Sequence, residues 1–495
     1  MRPAGSALDT ARRRFGLELG VLLIAALAVY AANPFGILLR AVDDCFWARR
    51  GVEIARTPGL FNLRWEGGVD WEYAPLQCWL LGRSFAIFGE NDLAARLPSI
   101  LFAIGTLLIV YRIGTRWLNP GAAVCAVALL AVSPYFLDNA RGCMTEMALT
   151  FWVSLALLVF LEGLDRPVLH ALFAIPLAAA LMTKSIMGLL PLGVLAVSAL
   201  VSPALRRPWT SAWFATGVVL GILLGASWFV AQAILVGAWT IRAHLEAYIG
   251  TRAMKPLGLV QHLIGYPVFL LERFQPLILP AVAGVVMIAR RLRRERDPGR
   301  LLILAWIVVP LIALSIPGTQ ARRWLFPLFP PLALCAGYAI ESLAPRASWW
   351  IRRVVAPAAL VAAAVWFWVS PPPFLYPSDP ALVQHRAWFQ SRIREDEALT
   401  YLGPELSYWP LANPFLYYDE RVLQLPSAGA DEALRRARAS RSRLLLCDMR
   451  RLSEVTPRAP GAARAIAGRD WVVLDLAHEM RADSSTTAPG VAVRP

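Results

Sequence analysis

The feature that most limits what this chain can become is a series of apolar runs, each about 17 to 25 residues long, strung along positions 17 to 370. A helix of that length rises about 30 Å, the thickness of a hydrocarbon core. Lipid offers no partner to a backbone N–H or C=O, so a spanning segment must satisfy its own, and a helix does. The runs lie at Leu17 to Ala32, 96–116, 120–137, 147–163, 167–183, 186–204, 211–236, 263–289, 301–317, 324–343 and 350–370. The expected fold class is an all-α polytopic membrane protein of eleven spans.

Composition agrees with this and narrows the function classes. Of 495 residues 57% are hydrophobic and 17% charged, which excludes a soluble enzyme of several domains. The net charge of +15 resides in short arginine clusters between spans, where lipid headgroups and insertion topology account for it, so no nucleic-acid partner is expected. The clusters at Arg12 to Arg14, Arg112 and Arg116, Arg166, Arg206 and Arg207, Arg290 to Arg300, and Arg346 to Arg353 all fall on the side of the N-terminus. That places the N-terminus in the cytoplasm of a multi-pass inner-membrane protein. The first run, although preceded by basic residues like a secretory signal, lacks a small-residue cleavage pattern and is read as a retained helix. The six cysteines show no C-x-x-C or metal spacing. Only Lys184 and Lys255 among the 49 basic residues are lysine, which marks them as places for a compact ammonium.

Two segments stand outside the lipid. Residues 33–94 form a first outer loop rich in charge and tryptophan; within it Pro75 to Phe88 is too short to cross and carries Arg83, so it reads as an interfacial helix. Residues 1–370, this loop included, make the membrane domain. From 371 to 495, short apolar runs at Leu399 to Leu402, Phe415 to Tyr418, Arg443 to Cys447 and Trp471 to Leu476, with a helical stretch near Asp431 to Ala439, read as a small extracytoplasmic α/β domain with a disordered tail after Arg481.

The charges that break the inside bias gather in four outer segments. They hold Asp43, Asp44, Asp70 and Glu72; Arg141 and Glu146; His244, Glu246, Arg252, Lys255 and His262; and Arg322 with Arg323. Lys184 ends a span on the same face. Either these are solvated loop residues, or carboxylates and cations converge as group transfer from an anionic lipid donor requires. Lysine and arginine would then hold a phosphate, and a carboxylate would deprotonate an acceptor or hold a metal.

Asp43-Asp44 after the first span, Trp71-Glu72-Tyr73-Ala74-Pro75-Leu76, Phe88-Gly89-Glu90-Asn91-Asp92-Leu93-Ala94-Ala95-Arg96-Leu97-Pro98-Ser99, and Thr183-Lys184 resemble the aminoarabinose transferase and protein O-mannosyltransferase group, integral-membrane glycosyltransferases of the GT-C fold. The resemblance covers about residues 15–345. It implies about 11 to 13 helices and transfer of a sugar from a polyprenyl-phosphate donor, with inversion, to an extracytoplasmic lipid or glycan acceptor such as lipid A. It implies Asp43 as the essential carboxylate of the pair with Asp44, and Glu72 with His262 as holders of a zinc ion, His244 being the weaker alternative; Glu146 joins the catalytic candidates from its place in the second outer segment. Where the group has the lysine and first proline of E-K-P-P-L, this chain has Tyr73 and Ala74, so the phosphate contact passes to Arg141, Lys184, Arg252, Lys255, Arg322 or Arg323. Three rival readings are protein O-mannosyl transfer, a non-catalytic relative that binds polyprenyl phosphate, and a transporter. The last calls for ionisable groups at mid-membrane and repeat symmetry, which the sequence does not show.

Overall fold

The computed structural model describes residues 4–34, 39, 43–56, 64–65, 68–70, 72–246, 259–275, 277–315, 322–369, 385–394, 397–404, 423–424, 427, 429–468 and 470–478. The chain divides into two compact units, residues 1–36 with 50–371, and residues 37–49 with 372–495. The sequence reading had assigned 37–49 to the membrane domain. The run at Phe415 to Tyr418 and the tail after Arg481 lie outside the described residues.

The first unit is helical: α1 (Ala4–Tyr30), α3 (Leu76–Phe88), α4 (Asp92–Trp117), α5 (Pro120–Val132), α6 (Pro134–Ala140), α7 (Thr145–Gly163), α8 (Ala174–Lys184), α9 (Leu190–Val201), α10 (Pro203–Arg206), α11 (Ala212–Leu235), α12 (Trp239–Leu245), α13 (Leu259–Arg273), α14 (Ile278–Leu292), α15 (Pro298–Ser315), α16 (Phe329–Leu343), α17 (Pro345–Trp350) and α18 (Ala356–Val369). Helix α2 (Asp43–Arg56) reaches into it from Arg50 onward, and β1 (Arg64–Trp65) pairs with β2 (Gly68–Val69) in a short antiparallel ribbon. Among the described residues seven helical runs are long and apolar enough to cross a membrane, or nine if each of two bent pairs is one span.

The hydropathy pattern predicts eleven, and contacts between helix ends bear on two stretches that the two counts treat differently. Helix α1, 27 residues long, runs beside α18. Glu18 pairs with Arg352 at 3.1 Å and with Arg353 at 2.5 Å at one end, and Asn33 Nδ2 donates to Phe367 O at the other. The run Pro167–Val201 would extend about 52 Å as one straight helix. Instead it is a hairpin. Gly217, Gly221 and Gly225 on α11 abut His170, Leu177 and Leu181 in that order, so α11 runs parallel to the segment ending at Lys184. The chain must return before Ala212, and it reverses in the 3-10 turn Ser185–Leu189, where a Cβ on Gly188 would lie 2.4 Å from Leu181 N. Ser185 sits there at φ +46°, a region that favours glycine.

One predicted span is corrected. The run 263–289 is two helices bent by 119°, and only α14 continues the bundle. The bend follows Glu272 and Arg273, a charged pair that would be costly at mid-membrane.

The packing also sorts the charges by end. At one end Arg112 and Arg116 pair with Glu162, Arg300 Nε donates to Trp117 O, Arg300 and Arg291 share Glu295, and Arg352 reaches Glu341. Arg206 and Arg207 join them through Trp209, whose ring meets Phe214, which in turn meets His170 and Phe160 of the α7 end. The basic clusters with described side chains therefore share one end, and Glu146, Lys184 and Arg323 meet at the other.

The second unit holds a four-stranded sheet in the order β3 (Thr400–Leu402), β4 (Leu444–Asp448), β6 (Trp471–Asp475), β5 (Ala463–Ala467), with β3 parallel to β4 and the other pairs antiparallel. Alternate residues of β4 feed two faces: Leu444 and Leu446 pack with Phe389, Tyr401 and Trp471, while Leu445 and Cys447 pack with Ala433, Leu434 and Ala437 of the helix Ala430–Ala439. Burial on both faces explains the unbroken Leu-Leu-Leu-Cys run. Strand β5, half of it exposed, carries too little apolar signal to have been expected. All six cysteines are buried and free.

Candidate functional site

The site in the first unit grows from two helix termini brought together by the α7–α8 hairpin. Glu146 lies in the first turn of α7 and Lys184 in the last turn of α8. A carboxylate is favoured at a helix N-terminus and a cation at a C-terminus, so antiparallel packing makes them natural partners. Lys184 Nζ donates to Glu146 Oε1 at 2.5 Å, with the two side chains 10% and 2% exposed. Arg323 Nε approaches the same oxygen at 3.7 Å from the start of the α16 pass, half-exposed, and Thr145 Oγ1 donates to Oε2 at 3.3 Å. Three charged groups in one place leave one net positive charge. Glu146, expected among the catalytic residues, is held in this ion pair, an arrangement suited to fixing Lys184 more than to accepting a proton.

A second cluster adjoins it. Gln77 in the first turn of α3 donates to Cys143 O at 2.7 Å, tying that helix to the turn before Glu146. Just ahead of α3, the Arg50 guanidinium lies 4.7 Å from the centre of the Tyr73 ring and its Nε donates to Asp70 Oδ2 at 2.5 Å, while Asp70 Oδ1 accepts from Glu72 N. Arg50 is placed by a close helix crossing, since a Cβ on Gly51 would fall 2.5 Å from Leu81 Cβ of α3. Sequence reasoning missed Arg50. Its signal was the departure at Tyr73: where the group has a lysine, an aromatic face carries a cation from another helix.

The remaining expected residues fare differently. Arg141 is engaged with the backbone. It is buried, and its guanidinium donates to the carbonyls of Val29, Tyr30 and Ala32 at 2.5, 3.2 and 2.7 Å and covers the Phe367 ring. A helix leaves its last carbonyls without partners, and Arg141 satisfies those of α1. His244 is buried, and its Nε2 shares a 2.7 Å hydrogen bond with Ser185 Oγ, fixing α12 to the turn after Lys184. Asp43 and Asp44 open α2; Asp44 is buried and Asp43 partly exposed. Arg252 and Lys255 lie outside the described residues, as do the side chains of Arg322 and His262. Of the expected metal pair only Glu72 is described: it is exposed, and its neighbour Asp70 is engaged by Arg50. No group of three His, Cys, Asp or Glu side chains gathers among the described residues.

Comparison with known proteins now has a geometry to meet. The family described as dolichyl-phosphate-mannose-protein mannosyltransferase matches residues 72–230, which include Tyr73, Glu146 and Lys184 but not Arg50, Asp70 or Arg323. An undecaprenyl phosphate-alpha-4-amino-4-deoxy-L-arabinose arabinosyl transferase of Pectobacterium carotovorum is 26% identical over 347 residues, 66% of this chain and 60% of that one. An uncharacterized protein of Aquifex aeolicus is 26% identical over 270 residues, 54% of this chain and 60% of its own. The chain spans 43% to 60% of the length of these first curated relatives. Among solved structures, ArnT from Cupriavidus metallidurans superposes with a TM-score of 0.71 at 16% identity, covering 94% of this chain and 98% of that one. The oligosaccharyltransferase of Archaeoglobus fulgidus follows with a TM-score of 0.56 at 14% identity, over 88% and 69%. The helical bundle has the fold of the GT-C glycosyltransferases, and its sequence is similar to that of the aminoarabinose transferases and protein O-mannosyltransferases.

Proposed function

We propose that the protein transfers a sugar from a polyprenyl-phosphate donor to an acceptor at the outer face of the inner membrane, with lipid A or a related envelope glycan as acceptor. The observation that carries this reading is the Glu146–Lys184–Arg323 cluster at the end of the bundle opposite the arginine clusters. Its surplus positive charge, beside the Arg50–Tyr73 pair, suits the phosphate of a donor whose tail lies in the bilayer. An ArnT structure of the same fold is described as bound to undecaprenyl phosphate, which supports a lipid phosphate as ligand. By the positive-inside rule the arginine end faces the cytoplasm, so the cluster faces out.

In the proposed reaction the acceptor oxygen bonds to the anomeric carbon from the face opposite the phosphate, and the bond from that carbon to the phosphate oxygen breaks with inversion. Lys184 and Arg323 stabilise the charge on the departing polyprenyl phosphate. Asp43, on the strength of the resemblance, takes the proton of a hydroxyl acceptor; a phosphate acceptor already ionised needs no base. Glu146 positions Lys184. The pair Glu72 and His262 is where a zinc ion would be held, and zinc content of the purified protein against Glu72→Gln tests that.

Incubation of the purified protein with radiolabelled polyprenyl-phosphate sugar and lipid A should yield labelled lipid A, and Lys184→Met should abolish it. Tyr73 favours one second reading, a relative that binds polyprenyl phosphate without transferring. Tight donor binding with no product from any acceptor would establish that alternative.

A further inference from the structure

At the arginine end of the bundle, a groove of about 250 Å³ opens between the end of α9, the end of α14 and the start of α15. Val201, Leu292 and Leu301 give it an apolar wall, and Ser202, Arg296 and Asp297 give it a polar one. The three polar groups have different commitments. Asp297 Oδ1 accepts from Arg300 N and so starts α15. Ser202 stands at the N-terminus of α10, yet its hydroxyl caps nothing there, and the residue is only 7% exposed. Arg296 makes no hydrogen bond or ion pair among the described residues, whereas its neighbours Arg291 and Arg300 are both held by Glu295. A buried hydroxyl and an uncommitted guanidinium therefore line the same opening.

The surroundings indicate what they meet. The groove is continuous with lipid-facing surface, since Leu200 and Val201 are 76% and 64% exposed at the end of a pass. Arg290, Arg293 and Arg294 surround it in sequence and are likewise uncommitted among the described residues. Where a bilayer headgroup layer meets excess positive charge, the complementary occupant is an anionic lipid. We propose that this groove binds the headgroup of an anionic phospholipid of the phosphatidylglycerol type. Arg296 and the Ser202 hydroxyl donate to the phosphate, the headgroup hydroxyl donates to Asp297, and an acyl chain lies along Val201, Leu292 and Leu301. The site is independent of the outer-end chemistry and lies a full pass away from it.

Native mass spectrometry of the full-length protein in detergent, titrated separately with phosphatidylglycerol, phosphatidylethanolamine, phosphatidylcholine and glycerol 1-phosphate, tests this. Phosphatidylglycerol should be retained at least tenfold more tightly than the other two lipids. Arg296→Gln should lose about tenfold, or about 1.4 kcal/mol, Ser202→Ala should lose less, and Arg296→Lys should keep most of the binding. Arg346→Gln, at the same end but outside the groove, should change nothing. Four results would overturn the proposal: equal retention of the three lipids, unchanged binding in Arg296→Gln, an equal loss in Arg346→Gln, or glycerol 1-phosphate binding as tightly as the lipid.

Discussion

The Lys184–Glu146 pair permits a quantitative test of how the site is held. At 2.5 Å, and at an effective dielectric constant of about 20, the two charges attract by about 6 to 7 kcal/mol. Withdrawing each from water costs several kcal/mol, so the intact pair contributes little net stability, whereas an orphaned partner costs about 3 to 5 kcal/mol. The two single substitutions should differ within that range. Lys184→Met leaves Glu146 with Arg323 at 3.7 Å, a half-exposed contact worth at most about 1 kcal/mol, and should cost about 3 kcal/mol. Glu146→Gln removes the carboxylate that two cations share and should cost nearer 5 kcal/mol. The double variant Glu146→Leu with Lys184→Met removes both charges and should cost less than the sum by about 2 kcal/mol or more. Unfolding in mixed micelles of mild and denaturing detergent reads these differences. Additive effects, or single substitutions below about 1 kcal/mol, would refute the account of a buried, mutually dependent pair.

Gly188→Ala should destabilise the protein by about 2 kcal/mol or more, because the added methyl meets the backbone of Ala180 and Leu181; Gly193→Ala, with its nearest neighbour 3.7 Å away, should be nearly neutral in the same assay. Asp43→Asn should lower turnover by a factor of about 10² to 10⁴ with donor binding nearly intact, and the buried Asp44→Asn should act on stability first; the reverse pattern would shift the assignment by one residue. A fluorescent reporter that matures only in the cytoplasm, fused after Val369, should stay dark, and a bright fusion would invert the topology. Burial, reinforced by Asp70 beside one and Asp448 beside the other, pushes the Cys78 and Cys447 thiols up to about 12. Neither should react with maleimide at pH 8 until the chain unfolds, and rapid labelling of the folded protein would contradict the packing.

The passes and the sorting of arginines were legible because hydropathy and topology are set by composition over about 20 residues at a time. The hairpin at Ser185 was legible too, as two runs separated by Lys184. The bend after Arg273 was not read, although Glu272 and Arg273 in the middle of the run marked it. Arg141 misled because nothing in a sequence shows which carbonyls at the end of α1 need a donor. Arg50 was passed over as one loop charge among many, since its meaning depends on Asp70 and Tyr73 folding back onto it from some 20 residues away. A motif resemblance located Lys184 and the charge pattern of an outer segment located Glu146, but only their geometry showed them joined in one ion pair.

The pairing of the first helix with the last has a consequence for how the protein is made. Glu18 meets Arg353 across 335 residues of sequence, and Asn33 meets Phe367 across 334. At a synthesis rate of about 5 to 20 residues per second, α1 waits roughly 20 to 70 s in the bilayer before α18 exists. Arg141, only 112 positions beyond Val29, arrives far sooner and secures the C-terminal end of α1. The other end stays open, with Glu18 answered only by the half-exposed Arg14 one turn earlier at 3.5 Å, until the ribosome has nearly finished the bundle. Chains released early, before Arg352, would therefore keep Glu18 with Arg14 alone in place of three arginines, which gives membrane quality control a chemical mark of incompleteness to act on.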